Sequence, residues 1–461
     1  MAIALDSGSP DGKPPGLFAG QPLWTAFNRR ADGAGAHAAA PAGTSRDLQA
    51  IAAARRGAEL ANPQETQADA AAGRNAAKGG NAVGGISDFH ARLVKESFAA
   101  IEARPAEAME YFYAWLFVQH PEIRAMFPLA MSAHREHVFD VLARIVWRMD
   151  SPAALAAYAG QLGRDHRKFG VRDKHYEAFF GALLVTIRQF SAGAWTAETE
   201  AAWAAALECI ARTMRAAAAA DARQAPAWWI GEIVQHDQRG PDLAVLTVRP
   251  DQPLRYLPGQ YLDVQVARWP RVWRHFSIGN APRPNGLLDL HVRAVPGGMV
   301  STALVHYVQP GDTLLLGPAR GSMTISEHCD RDLLCVAGGT GLAPIKAIIE
   351  GVISAGGRAR RRNIALYVGA RRPGGLYDMQ DLALLEISYP WLTVIPVVSH
   401  DPAWAGWAGL LSDVVRQHAP CEGREVYISG PGQMVADIVR MLARRVSGEH
   451  IHYDPFDALA G

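Results

Sequence analysis

Three short runs of this sequence carry groups suited to phosphate-bearing cofactors. Arg274-His275-Phe276-Ser277 offers a permanently charged, planar guanidinium for a diphosphate, with a ring and a hydroxyl close by. Phe276 can pack against a flavin, and Ser277 can bond its ring near the reactive nitrogen. Gly297-Gly298-Met299-Val300-Ser301 opens a helical run, whose free amides can hold a second phosphate. Gly338-Gly339-Thr340-Gly341 follows an apolar run and precedes Pro344. Glycines there let the chain turn tightly and let a pyrophosphate approach the backbone. Taken singly, these are also a surface arginine on a barrel and ordinary glycine turns. In this order they describe a flavin site followed by a nicotinamide site.

Five residues upstream suit haem. His166, in Arg164-Asp-His-Arg-Lys-Phe-Gly170, ends a helical run where an imidazole can ligate iron. Phe127, before Pro128, can stack on a porphyrin. Tyr113 and His134 can each point a polar group at a bound ligand. Tyr176 begins the next helical run, and its hydroxyl can reach back towards the histidine region. Each of these alone is more commonly a core residue.

The elements that must position these residues differ along the chain. Its 461 residues suffice for about three domains, and its net charge of +1 gives no global attraction to nucleic acid or anionic membrane. No transmembrane segment, secretory signal or C-x-x-C pair is present, so a cytoplasmic protein without an iron–sulfur centre is expected. Residues 1–86 are rich in Ala and Gly and read as a disordered extension, with a transient helix from Asp47 to Ala61. Residues 87–222 form an unbroken series of helical runs, an all-α domain. From residue 226 to 328 short strand-like runs (Trp229–Val234, Leu243–Val248, Tyr261–Val266, Leu288–Ala294, Thr313–Leu316) predict a small antiparallel β-barrel. Residues 329–461 alternate strand and helix, an α/β doubly wound domain.

Residues 226–461 resemble the ferredoxin-NADP reductase superfamily, in Pro258-Gly259-Gln260-Tyr261, in Arg274, Phe276 and Ser277, and in the glycine loop. Gly430-Pro431-Gly432 resembles the loop under the nicotinamide, with Ser429 where many relatives carry Cys. Tyr453-Asp454-Pro455-Phe456 resembles the tail that covers the flavin in the haem-linked branch, with Asp454 for a usual Glu. Residues 87–222 resemble the globin domain of bacterial flavohaemoglobins, and 87–461 has that family's domain order. The resemblance implies haem b, FAD and NADH or NADPH as cofactors; Arg371 and Arg372 could meet a 2′-phosphate or simply be solvated, and NADH is favoured. It makes His166 the proximal ligand, Tyr113 the distal hydroxyl, Phe127 the haem wedge and Tyr176 part of the proximal network. His134 takes the distal position where Gln is frequent, with His137 the alternative across a shorter loop. The family's proximal glutamate is missing from Ala216–Ala220; either Asp221 substitutes after a shift of register, or the push on the ligand is weaker.

The implied activity is that of a nitric oxide dioxygenase, a monomer with nitric oxide and dioxygen as substrates and no nucleic-acid partner. Electrons would run from NAD(P)H through FAD to haem. Two other readings stay open: another haem–flavin oxidoreductase, such as a peroxide or quinone reductase, and an oxygen or redox sensor.

Overall fold

The computed structural model describes residues 86–191, 193, 195–325, 330–355 and 362–454. The expectations for residues 1–85 and for Phe456 lie outside these described residues.

Six helices come first: α1 (Asp88–Glu102), α2 (Pro105–Gln119), α3 (Ser132–Trp147), α4 (Pro152–His166), α5 (Asp173–Ser191) and α6 (Ala197–Ala222). Local chemistry sets their ends. Ser87 caps α1 by accepting from the His90 amide at 3.2 Å, and Thr196 caps α6 from the Thr199 amide at 3.2 Å. Pro105 opens α2 rather than merely breaking α1, because a first-turn residue needs no amide. The helices share one core around Phe98, Phe112, Leu116, Leu155, Leu183 and Ile187. Full burial of each such side chain stabilises the fold by about 1.5–3 kcal/mol. The one polar edge of buried Trp203 is satisfied, its Nε1 donating to Ser97 Oγ at 2.8 Å.

The next six strands are β1 (Trp229–Gly240), β2 (Leu243–Pro250), β3 (Tyr261–Val266), β4 (Arg274–Ser277), β5 (Leu288–Arg293) and β6 (Thr313–Leu316). They pair in the order β4-β3-β6-β1-β2-β5, and an antiparallel bridge from Ile278 to Leu290 brings the ends together as a nearly closed barrel. Strand β1 runs well past the expected Val234. Register shifts at Ile233/Gln235 and Gln238/Gly240 break the alternation that would have revealed its length. A helix, α7 (Met299–His306), packs on this barrel.

The last domain is a parallel sheet ordered β10-β9-β8-β7-β11-β12. Its strands are β7 (Leu333–Gly338), β8 (Ile364–Ala370), β9 (Leu392–Val398), β10 (Trp407–Ala408), β11 (Glu425–Ser429) and β12 (Ile451–His452). Its helices are α8 (Leu342–Ala355), α9 (Met379–Ser388), α10 (Leu411–His418) and α11 (Gly432–Leu442). Alternate residues of β7 serve opposite faces. Leu333, Cys335 and Ala337 pack in one core with α8, while Leu334 and Val336 pack in another with α10 and α11. The sheet is therefore doubly wound, as expected. The short elements α9, α10, β10 and β12 had no expectation, since one or two turns of periodicity do not separate helix from loop. Among the described residues no helix is long and apolar enough to cross a membrane.

Candidate functional site

Three rings meet beside α2. The 3₁₀ turn Pro121–Met126 delivers Phe127 in extended backbone, and Arg124 clamps the loop by donating to the carbonyls of Phe127, Pro128 and Leu129 at 3.0–3.3 Å. Phe127 meets Tyr113 edge-on at 5.5 Å and His134 at 5.2 Å; Tyr113 and His134 lie 5.8 Å apart. The Tyr113 hydroxyl and His134 Nε2 are buried with no hydrogen-bond partner among the described residues. A buried orphan of this kind costs about 1–3 kcal/mol, so two together mark a place built for a polar guest. Burial pushes the Tyr113 hydroxyl well above its usual range, keeping it a donor. Burial, with His137 and His166 nearby, lowers His134 to about 4, so its ring is neutral near pH 7. His137, the alternative, also lines the cavity described below, but His134 is the histidine that shares the ring cluster.

His166 ends α4 with its Nδ1 donating to the Leu162 carbonyl at 2.6 Å. That fixes the tautomer and leaves Nε2 with a free lone pair, the form in which imidazole ligates a metal. Asp221 does not take the place of the missing carboxylate. It pairs with Arg167, whose other nitrogen donates to the Ala225 carbonyl at 2.7 Å. With His166 Nδ1 taken by Leu162 and the Asp221 carboxylate by Arg167, Asp221 makes no hydrogen bond to the imidazole among the described residues. Tyr176 lies under the Arg215 guanidinium at 5.7 Å and lines the same cavity as His166. Helix α4 can crowd α6 because it carries Gly163. A Cβ there would stand 2.1 Å from the Met214 carbonyl oxygen.

A cavity of about 1230 Å³ joins His166, Phe127, His134 and Tyr176 to the barrel residues Tyr261, Arg274, His275 and Met299. The residues fit a haem on one side: a metal-ready imidazole, an aromatic wedge and the unpartnered His134 Nε2; Tyr113 packs against Phe127 and His134 but is not itself among the lining residues. On the barrel side Arg274 projects from β4 with its Nη1 donating, among the described residues, to the Trp273 carbonyl, and Tyr261 stands edge-on to His275 at 5.2 Å. Burial raises the Tyr261 hydroxyl to about 12. Not all the expected residues converge here. Phe276 packs on the barrel core, Val300 is buried in it, and Ser301 Oγ donates to the Gly298 carbonyl at 3.3 Å within its own turn. Ser277 pairs with Tyr261 across β3 and β4. Asp454 is drawn back to the barrel, accepting from the Ser322 amide at 3.4 Å.

Three residues of this region had escaped notice: Lys168, Asp263 and Arg320. Asp263 lies in the fully buried strand β3, facing His275 on β4. Burial alone would raise its carboxyl. The hydrogen bond from His275 and the charges of Lys168 and Arg320 more than offset this and hold it well below the usual carboxylate range. The signal was available: one carboxylate inside the run Tyr261–Val266 demands partners.

In the last domain, Gly338 ends β7 and Gly339–Gly341 makes a single 3₁₀ turn before α8. Thr340 sits within that turn. The loop is locked to Gly430-Pro431: a Cβ on Gly341 would lie 2.3 Å from the Ser429 carbonyl, and one on Gly338 would meet Met434 at 2.6 Å and Pro431 at 3.1 Å. The two loops expected to share a nicotinamide dinucleotide are thus adjacent. Arg371 and Arg372 follow β8 on the surface.

The chain matches the family models Globin over 110–214, Oxidoreductase FAD-binding domain over 232–325 and Oxidoreductase NAD-binding domain over 335–440. It is 27% identical over 313 residues to a flavohemoprotein of Bordetella pertussis, covering 63% of this chain and 76% of the relative. The chain is a fusion of the flavohaemoglobin type, a globin domain followed by FAD- and NAD-binding oxidoreductase domains. A flavohemoglobin structure from Malassezia yamatoensis with bound FAD and heme overlays this flavohaemoglobin-type chain with a TM-score of 0.66, covering 80% of it and 99% of the neighbour. At 16% identity that likeness shows the shared fold. Through its FAD- and NAD-binding domains the chain also belongs with the ferredoxin–NAD(P)+ reductases. It is 32% identical over 229 residues to the reductase component of the naphthalene 1,2-dioxygenase system of Pseudomonas putida, covering 49% of this chain and 68% of the relative. The chain spans between 55% and 68% of the length of such reductase components. The three domains join a globin domain to the FAD- and NAD-binding domains of an oxidoreductase.

Proposed function

We propose that this chain is a nitric oxide dioxygenase that uses NADH or NADPH. The reading rests above all on the single cavity that joins His166, Phe127 and His134 to Tyr261 and Arg274. When bound, FAD and haem b supply the redox chemistry: hydride acceptance, one-electron transfer and oxidation of nitric oxide to nitrate with dioxygen.

The chain's own residues bind, orient and exclude water. His166 would hold the iron through Nε2, its ring angle set by the Leu162 carbonyl. Phe127 would pack against the macrocycle beside Tyr113 and His134. Tyr113 stays protonated across the working pH range and donates to the distal guest. His134, neutral, presents Nε2 to the same space. Tyr176 and Arg215 close the proximal side. On the reductase side Arg274 would hold the diphosphate of FAD, Tyr261 would flank its ring, and the amides of the 297–301 turn would take the second phosphate. The loops at Gly338–Gly341 and Gly430-Pro431 receive the nicotinamide dinucleotide, NADH being favoured.

An absorption spectrum of the loaded protein before and after NADH, followed by nitric oxide consumption at an electrode in air, tests this. Flavin bleaching, a ferric-to-ferrous shift of the haem band and rapid consumption are expected. Consumption no faster than that of free haem would refute the dioxygenase reading. A panel including peroxide and quinones identifies the substrate in that event.

A further inference from the structure

The turn that follows α4 is tied to the flavin side of the barrel by two ion pairs of opposite sense. Lys168 Nζ reaches Asp263 Oδ2 at 2.5 Å, a cation from the globin on a carboxylate of the barrel. Arg320 Nη2 reaches Asp165 Oδ1 at 2.6 Å, a cation from the barrel on a carboxylate of the globin. Arg320 Nη1 lies 3.7 Å from Asp263, which joins the two pairs, and His275 Nδ1 closes on Asp263 at 2.6 Å. Asp165 is braced from behind by Gln161 Nε2 at 2.7 Å. The side chains are largely withdrawn from water, with 1% exposure at Asp263, 9% at Lys168 and 15% at Arg320.

Position gives the cluster its meaning. Asp165 and Lys168 bracket His166, while Asp263 faces His275, the neighbour of Arg274. A single ion pair across a seam leaves a swivel; two crossed pairs sharing Arg320 and Asp263 resist both sliding and rotation. Sequestered from solvent, they are also poorly screened by salt.

We propose that Asp165, Lys168, Asp263 and Arg320 form a clasp that positions the haem-ligating turn against the flavin strand for electron transfer. Its kinetic consequence rests on the flavin-to-haem reading above; its structural consequence does not. None of the four is a catalytic residue.

The test uses the full chain loaded with both cofactors, as the two single variants Asp165→Ala and Lys168→Met, with Arg320→Lys as the charge-keeping control because position 320 must serve both Asp165 and Asp263. Stopped-flow spectroscopy separates flavin reduction by NADH from electron transfer onward to haem, and amide hydrogen exchange reads the seam directly. In the two single variants, flavin reduction, ferricyanide reduction and the position of the haem band are expected to match the unaltered protein within twofold. Onward transfer slows at least about tenfold, as small displacements of reacting groups do. Amides of 163–169 and 261–266 exchange faster. Arg320→Lys, which keeps a cation for Asp165 and Asp263, holds transfer and protection above the Asp165→Ala level. Unchanged exchange in both single variants overturns the clasp, as does an Arg320→Lys variant no better than Asp165→Ala. An unaltered protein whose haem is not reduced through the flavin refutes the electron-transfer reading separately, and the exchange measurements then decide the clasp alone.

Discussion

Gly163→Ala offers the sharpest probe of the proximal architecture. Helix α4 passes α6 so closely at this point that a Cβ would stand 2.1 Å from the Met214 carbonyl oxygen and 2.7 Å from its Cα. Ordinary contact begins near 3.4 Å, so the shortfall is about 1.3 Å, and the obstacle is backbone that cannot rotate aside. The helices must part, and His166 lies less than one turn further along α4. Overpacking of this kind costs about 1–3 kcal/mol. If the haem-free chain relaxes by separating the helices while the loaded chain must restore their spacing, that cost appears as roughly 5- to 150-fold weaker haem retention. The assay is transfer of haem to an excess of a colourless scavenger globin, followed by absorption, with melting of the haem-free variant in parallel. Loss rates and melting both equal to the unaltered chain would refute the close-crossing argument. Gly181→Ala, which meets nothing within 4 Å, serves as the control.

Three other outcomes follow from the same reasoning. Tyr113→Phe removes a buried hydroxyl without a partner, so the haem-free chain gains about 1 kcal/mol in urea unfolding while nitric oxide consumption falls at least about tenfold; a loss of stability would contradict the orphan assignment. Gly341→Ala drives a methyl to 2.3 Å from the Ser429 carbonyl and is expected to raise KM for NADH and slow flavin reduction, with the haem band untouched; kinetics within twofold of the unaltered chain would count against the shared-loop site. His291 donates or accepts at 2.7 Å with Tyr377, and burial, aided by Lys346 and Arg239, lowers it from 6.5 to about 3. The unfolded chain therefore takes up the proton first: the contribution is complete above pH 6.5 and declines towards pH 3, by about 2 kcal/mol at pH 5. Urea titrations at pH 7 and 5 should show a smaller pH slope in His291→Gln, and an equal slope in both would contradict this.

Much of the site could be read before the fold was known. Order along the chain made His166, Phe127 and His134 candidates, and the structure draws them to one cavity. Gly338–Gly341 and Gly430 were legible because strand, glycines and helix come in a physically required sequence. Other features had no local signature. Lys168 and Asp263 are 95 residues apart in the chain, and no periodicity joins them. The bulges of β1 erased its alternation. The fate of Asp221 turned on Arg167, a neighbour in space that residue counting from Trp203 could not reveal. The strongest hint left unused was Asp263 itself, a charge in a strand otherwise fit for a core.

The acceptor for His166 Nδ1 is the Leu162 carbonyl, a main-chain atom. A carboxylate in that role would be one codon away from loss, and each replacement would retune the iron ligand. A peptide oxygen is present whatever side chain occupies position 162, so substitutions there repack α4 without deleting the bond. Saturation mutagenesis of the proximal side should accordingly meet a flat response at this contact. Heritable adjustment of the ligand is left to the spacing of α4 and α6 and to the groups beyond the imidazole.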